Sequence, residues 1–143
     1  MHRLFALALV LAGMPAPRAG QAPPPAPEAE AIVHTLFRIG DAGHPAKGGE
    51  PVLIALRTEL ERSADRSTVV FLGDNVYPAG LPAPGDPELA EMERRLDDQV
   101  DAARDTGARA VFIPGNHDWV KGGHDGWEAL RRQERRIEGG GRP

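Results

Sequence analysis

Three short segments hold the side chains with the clearest chemical use: LFRIGDAGH at residues 36–44, VVFLGDNVY at 69–77 and AVFIPGNHD at 110–118. In each, an apolar run is followed, directly after a glycine, by a group able to bind a hard cation: Asp41, Asp74, and Asn116 beside His117. Two carboxylates, an amide and an imidazole form a mixed oxygen and nitrogen set suited to a pair of divalent ions. Two such ions about 3.5–4 Å apart clamp the attacking and departing oxygens of a phosphoryl group and lower the pKa of bound water until hydroxide exists near neutrality. The chemistry indicated is metal-assisted hydrolysis of a phosphate ester. Without metals none of these side chains is a strong enough nucleophile.

The elements around the three segments must hold these groups together. Open parallel sheets bind ligands in the crevice beyond the carboxyl ends of their strands, where several loops converge on a rigid base. Residues 32–39, 68–72 and 108–113 read as strands that end at the three ligand positions. Gly40, Gly73 and Gly115 come just before Asp41, Asp74 and Asn116, and are expected to let the backbone turn sharply and an ion approach closely. A helix is expected after the first strand, with Pro51 in its first turn and Val52, Leu53, Leu56 and Leu60 on one face. A second is expected from Asp86 as N-cap, with Leu89, Met92, Leu96, Val100 and Ala103 turned inward and Gly107 placed to end it. A third begins near Asp125, where Glu128 completes a capping-box pattern. The order is βαβαβα, an α/β arrangement with a largely parallel sheet. The loop 78–85, with three prolines and two glycines, lies beside the ligands as one wall of a cleft.

The strings GDAG, GDNVY and GNHD, in this order, resemble the first three sequence blocks of the calcineurin-like metallophosphoesterases, in the form seen in purple acid phosphatases. That form reads D-x-G, then G-D-x-x-Y, then G-N-H followed by D or E, and all three are met. The resemblance implies that Asp41 holds a first metal, Asp74 bridges both, Tyr77 binds the first as a phenolate and Asn116 binds the second through its amide oxygen. It implies that His117 stabilises the transition state or protonates the leaving alkoxide, with Asp118 orienting it from behind. The implied cofactors are two divalent or mixed-valence ions drawn from iron, manganese, zinc and magnesium, and Tyr77 hints at iron in one position. Nothing after Asp118 matches the family's later histidine block or its G-H-x-H block. Residues 32–143 therefore resemble the N-terminal half of an αββα sandwich, and little or no activity is expected of this chain alone. Two functions follow. One is an exported phosphoesterase acting on small-molecule phosphate mono- or diesters; the other is a non-catalytic secreted module that retains a partial metal site. A nucleotide-binding Rossmann unit is disfavoured, since no G-x-G-x-x-G follows the first strand.

Composition narrows the field further. The formal net charge is −4 at pH 7, which argues against a nucleic-acid partner. The one strongly basic stretch, LRRQERR at residues 130–136, is interleaved with glutamates and reads as a solvated helix face. With no cysteine, disulfides, thiolate zinc sites and a lipoprotein anchor are excluded. His44 and His124 read as loop residues, His34 as structural, and Trp119 and Trp127 as wall or core residues, with Trp119 near the cleft. His2 and Arg3 precede an apolar run at residues 4–12, too short to span a bilayer but fit for a signal-peptide core. The expected organisation is a signal peptide over 1–22, a Pro/Ala-rich linker over 23–31, and export to the periplasm or beyond without a stable membrane anchor.

Overall fold

The computed structural model describes residues 32–45 and 50–139; the expected signal peptide and linker lie outside the described residues. Strands β1 (Thr35–Ile39), β2 (Ser67–Phe71) and β3 (Arg109–Phe112) alternate with helices α1 (Pro51–Ser63), α2 (Leu89–Ala103) and α3 (Gly126–Glu138). The sheet order is β1-β2-β3, and both pairings are parallel. This is the expected βαβαβα order, an α/β fold with a parallel sheet.

Register decides which side chains share a face. Phe37 lies opposite Val69, and Ile39 opposite Phe71, which in turn lies opposite Phe112. These residues pack against Leu53, Leu56 and Leu60 of α1 and Ala102 and Ala103 of α2, with the Phe71 and Phe112 rings stacked at 4.3 Å. Full burial of each leucine stabilises the fold by about 1.5–3 kcal/mol. The other face of the sheet is open: Leu36, Leu72 and Ile113 are 58%, 49% and 44% exposed. A second cluster, Val76, Leu81, Met92 and Leu96 with Ile137 against it, joins α2 and α3 to the loop after β2.

Several boundaries differ from the sequence expectation for local reasons. Helix α1 does begin at Pro51, but Val52 points to solvent and the inner face is Leu53, Leu56 and Leu60. Asp86 does not cap α2: its carboxylate accepts from Glu88 N at 2.8 Å and its carbonyl from Leu89 N at 3.1 Å, forming a turn of its own before the helix starts. At the far end α2 stops at Ala103, and Gly107, at φ +81°, shapes the next turn toward β3. The Asp125 side chain makes no cap bond to α3, so the capping box does not form. The basic stretch is only partly solvated. Arg136 makes a two-bond pair with the buried Asp97 carboxylate, at 2.8 and 2.7 Å, and Arg132 donates to Leu81 O at 2.8 Å. Those arginines fasten α3 to α2 and to the loop after β2.

Candidate metal centre

The chain leaves β1 and β2 by the same manoeuvre. Asp41 and Asp74 themselves adopt left-handed backbone, at φ +57° and +55°, a conformation that aspartate tolerates better than most residues. Asp41 N donates to Gly73 O, Gly43 N to Asp74 O and Tyr77 N to Gly43 O, at 3.2, 3.0 and 3.3 Å, so the two turns are laced together. The glycines divide. Gly73, at φ +106°, lies against Gly115: a Cβ on Gly73 would lie 2.6 Å from Gly115 Cα, and one on Gly115 would collide with Asp74 Oδ1. Gly40 is different, since a Cβ there meets nothing nearer than 3.9 Å. The expected need for glycine fails at Gly40 because its backbone is not left-handed and a Cβ there has room.

Two carboxylates converge on one phenol. The Tyr77 hydroxyl lies 2.6 Å from Asp41 Oδ1 and 2.9 Å from Asp74 Oδ2. Hydrogen bonding to Asp41 first, then to Asp74, holds the Tyr77 proton in place and pushes its pKa well above the ordinary phenol range. One proton is thus shared by two carboxylates, and no Lys or Arg among the described residues forms an ion pair with either. Three hard oxygens, two of them anionic and without a cationic side chain, fit a cation. A bound ion would reverse the local electrostatics and favour the phenolate. Among the described residues no group of three or more His, Cys, Asp or Glu side chains converges. The donor set is thus two carboxylates and a phenol.

The third segment is attached to the second through Asp74 and Asp118. Asp74 Oδ1 accepts from His117 N at 3.0 Å. Asp118 is fully buried, and its carboxylate accepts from Gly115 N at 2.8 Å, Val76 N at 3.1 Å, and Asn75 N and Nδ2 at 3.1 and 3.2 Å. Burial pushes its pKa up while the backbone donors Gly115, Asn75 and Val76 pull it down. Asp118 therefore does not have the partner expected of it. The His117 Nδ1 faces Pro78 O at 2.6 Å; a carbonyl only accepts, so Nδ1 bears the hydrogen and Nε2 is left for other chemistry. The His117 ring lies beside Tyr77, with centroids 4.2 Å apart. Asn116 is exposed, and its carbonyl accepts from Lys121 N at 2.8 Å. Asp41, Asp74, Tyr77 and His117 are thus brought together, whereas Asp118 works from the interior.

Sequence reasoning missed the braces behind these groups. Asn75 donates from Nδ2 to Ile113 O at 3.0 Å as well as to Asp118. Gln99, fully buried on α2, donates to Asn75 O at 2.7 Å, and Gln133 on α3 reaches Asp118 O at 3.4 Å. Gln99 lies three residues after Leu96 and four before Ala103, on the apolar stripe of α2; an amide in such a stripe is the signal that pointed to it. Arg95, paired through Nε with Glu91 at 2.9 Å, directs Nη1 toward Tyr77 O and Gly43 O at 3.4 and 3.5 Å. It also borders a cleft of about 570 Å³ with Asp41, His44, Tyr77, Pro78, Glu88 and Met92. His44 is on that wall, with its ring 6.1 Å from Tyr77. His124 is fully exposed, as expected, and His34 bonds Thr68 Oγ1 at 3.0 Å across the first two strands.

A comparison with protein-family models matches residues 33–140 to the calcineurin-like phosphoesterase family. With its three-stranded parallel sheet and helices alternating as described, the chain belongs to that family. Searches of curated proteins and of solved structures return no match.

Proposed function

We propose that this chain supplies part of the catalytic centre of a metal-dependent phosphoesterase acting on small-molecule phosphate mono- or diesters. The observation that carries this reading is the convergence of the Asp41 and Asp74 carboxylates on the Tyr77 hydroxyl, at the ends of adjacent parallel strands in a member of a phosphoesterase family. Asp41, Asp74 and Tyr77 would hold one ion, and Asp74 with Asn116 would serve a second. When bound, the ions neutralise phosphate charge and lower the pKa of a water to about neutrality. The work of the chain itself is positional. Asp74 is fixed from one side by His117 N and from the other by Tyr77. Pro78 O holds the His117 ring with Nε2 unencumbered, able to donate to a phosphoryl oxygen or to a departing alkoxide when the ring is protonated. The acidic residues repel a phosphate anion until cations are present, so metal must precede substrate.

The acidic net charge supports a small-molecule rather than a nucleic-acid substrate, and the apolar run at 4–12 after Arg3 supports export. Among the described residues no helix is long and apolar enough to cross a membrane. Hydrolysis of an aryl phosphate, assayed with and without added manganese in the native chain and in Asp74→Ala, tests the reading. Manganese-dependent turnover that falls to background in the variant supports it. Without turnover, saturable manganese binding that is lost in Asp74→Ala upholds the metal centre alone, and equal turnover in both proteins, or no manganese binding in either, overturns the mechanism.

A further inference from the structure

The segment after the metal centre has features that its place in the fold does not require. Val120 and Lys121 adopt left-handed backbone at φ +53° and +51°. For a β-branched residue such as valine this is a genuine outlier, of a kind that clusters at ligand-binding sites. The strained turn is bonded directly to the centre, with Val120 N on His117 O at 3.0 Å and Lys121 N on Asn116 O at 2.8 Å. On either side of it stand Trp119 and Trp127, 37% and 57% exposed, with their rings stacked at 5.9 Å and 29°. The pair is held by design of the backbone: a Cβ on Gly126 would collide with the Trp119 carbonyl oxygen, so only glycine allows α3 to start this close to Trp119. Trp127, though not Trp119, also borders a cavity of about 350 Å³ between Phe112, Ile113 and Pro114 and the α3 residues Arg131, Glu134 and Glu138.

We propose that Trp119 and Trp127 form a platform for a flat aromatic group on the alcohol side of the phosphate ester. This inference rests on the phosphoesterase reading and narrows it to aryl or heteroaryl esters. A π-face accepts any flat ring and gains nothing comparable from an aliphatic chain. Two large apolar rings left in solvent beside a catalytic loop, and fixed by strain rather than left mobile, fit that task. Substrates divide accordingly: aryl phosphates gain from the platform, and glycerol phosphate does not.

The chain contains only two tryptophans, so its fluorescence excited at the red edge, where Tyr77 does not absorb, reports on this pair alone. Titration of the manganese-loaded full chain with phenyl phosphate is expected to give a saturable quench, and glycerol phosphate little or none. Trp119→Ala and Trp127→Ala, each read through the remaining tryptophan, should weaken phenyl phosphate binding roughly tenfold while leaving inorganic phosphate binding by calorimetry unchanged. Trp127→Leu keeps apolar bulk and replaces the alanine variant if the latter loses its helical circular dichroism. No saturable quench by phenyl phosphate, or an equal one by glycerol phosphate, overturns the platform. The parent reading is judged apart from it: manganese-dependent binding of inorganic phosphate upholds the metal centre whichever way the platform falls. A quench by phenol and phenyl phosphate alike, indifferent to manganese, upholds the platform and counts against the centre.

Discussion

Asp41 and Asp118 carry the same charge within one site and are treated in opposite ways. Asp41 is exposed and shares a single phenol proton with Asp74. Asp118 is sealed from solvent and accepts from three backbone N–H groups and one amide. The first is left short of positive partners and the second has all it can accept. A carboxylate kept for a ligand must retain unmet acceptor capacity, whereas one that braces two loops must have its capacity consumed by the protein. Under the proposed function, the difference separates groups that would bind from those that hold them in place, and substitution should pull the two roles apart.

The largest loss is expected at the brace. Asp118→Ala leaves the N–H groups of Gly115, Asn75 and Val76 buried without acceptors, at about 1–3 kcal/mol each; a destabilisation of about 4 kcal/mol or more, measured by urea unfolding, is the expected result. A change under about 1 kcal/mol would show that Asp118 is no brace. Next come the glycines, which sort the two turns. Gly73→Ala, with φ +106° and a backbone neighbour in the way, should cost about 2–4 kcal/mol, while Gly40→Ala, with open space around it, should stay within about 1 kcal/mol of the native chain. Equal effects would remove the distinction between a glycine that its turn requires and one that it does not.

Asp41→Asn should move stability little in metal-free protein, within about 1 kcal/mol and in the favourable direction, because it relieves repulsion with Asp74. The same change should weaken manganese binding at least tenfold by calorimetry. Loss of stability without loss of affinity would make Asp41 a structural residue after all. The smallest effect is at Glu91, held down to about 2 by hydrogen bonds from Arg94 and Arg95. Its folded pKa lies below the unfolded one, so its contribution is complete above about pH 4.5 and fades as pH falls toward 2. Glu91→Gln should flatten the acid limb of the stability curve slightly, a small shift because the pair faces solvent. An unchanged limb would leave Glu91 without a role in stability, and Arg95 held by its carbonyl contacts alone.

The fold was legible where periodicity and punctuation agreed. Leu53, Leu56 and Leu60 gave the inner face of α1, Pro51 gave its start, and the three strand ends were placed by an apolar run stopping at a glycine. Boundaries failed where a side chain served a local turn: Asp86 looks like a helix cap in sequence, yet its carboxylate is taken by Glu88 N. The family was legible in GDAG, GDNVY and GNHD, and the family comparison over residues 33–140 agrees. What spacing could not convey was the interior of the site. Asn75 lies between Asp74 and Tyr77 without any mark of its role, and its partners Asp118 and Ile113 are about forty residues away in the chain. Arg136 read as a surface charge because its partner, Asp97, sits on another helix. Long-range polar pairing leaves no period in the sequence, so it is read only from the fold.

The central claim is that Asp41, Asp74 and Tyr77 form a cation site. It is tested most directly by the thermal unfolding of the native chain and of Asp74→Ala with increasing manganese. An ion at about a hundredfold its Kd stabilises the folded state by about 2.7 kcal/mol, which for a domain of this size raises Tm by about 10 °C. The account predicts that rise in the native chain and none in Asp74→Ala. An equal rise in both proteins, or none in either, would contradict it.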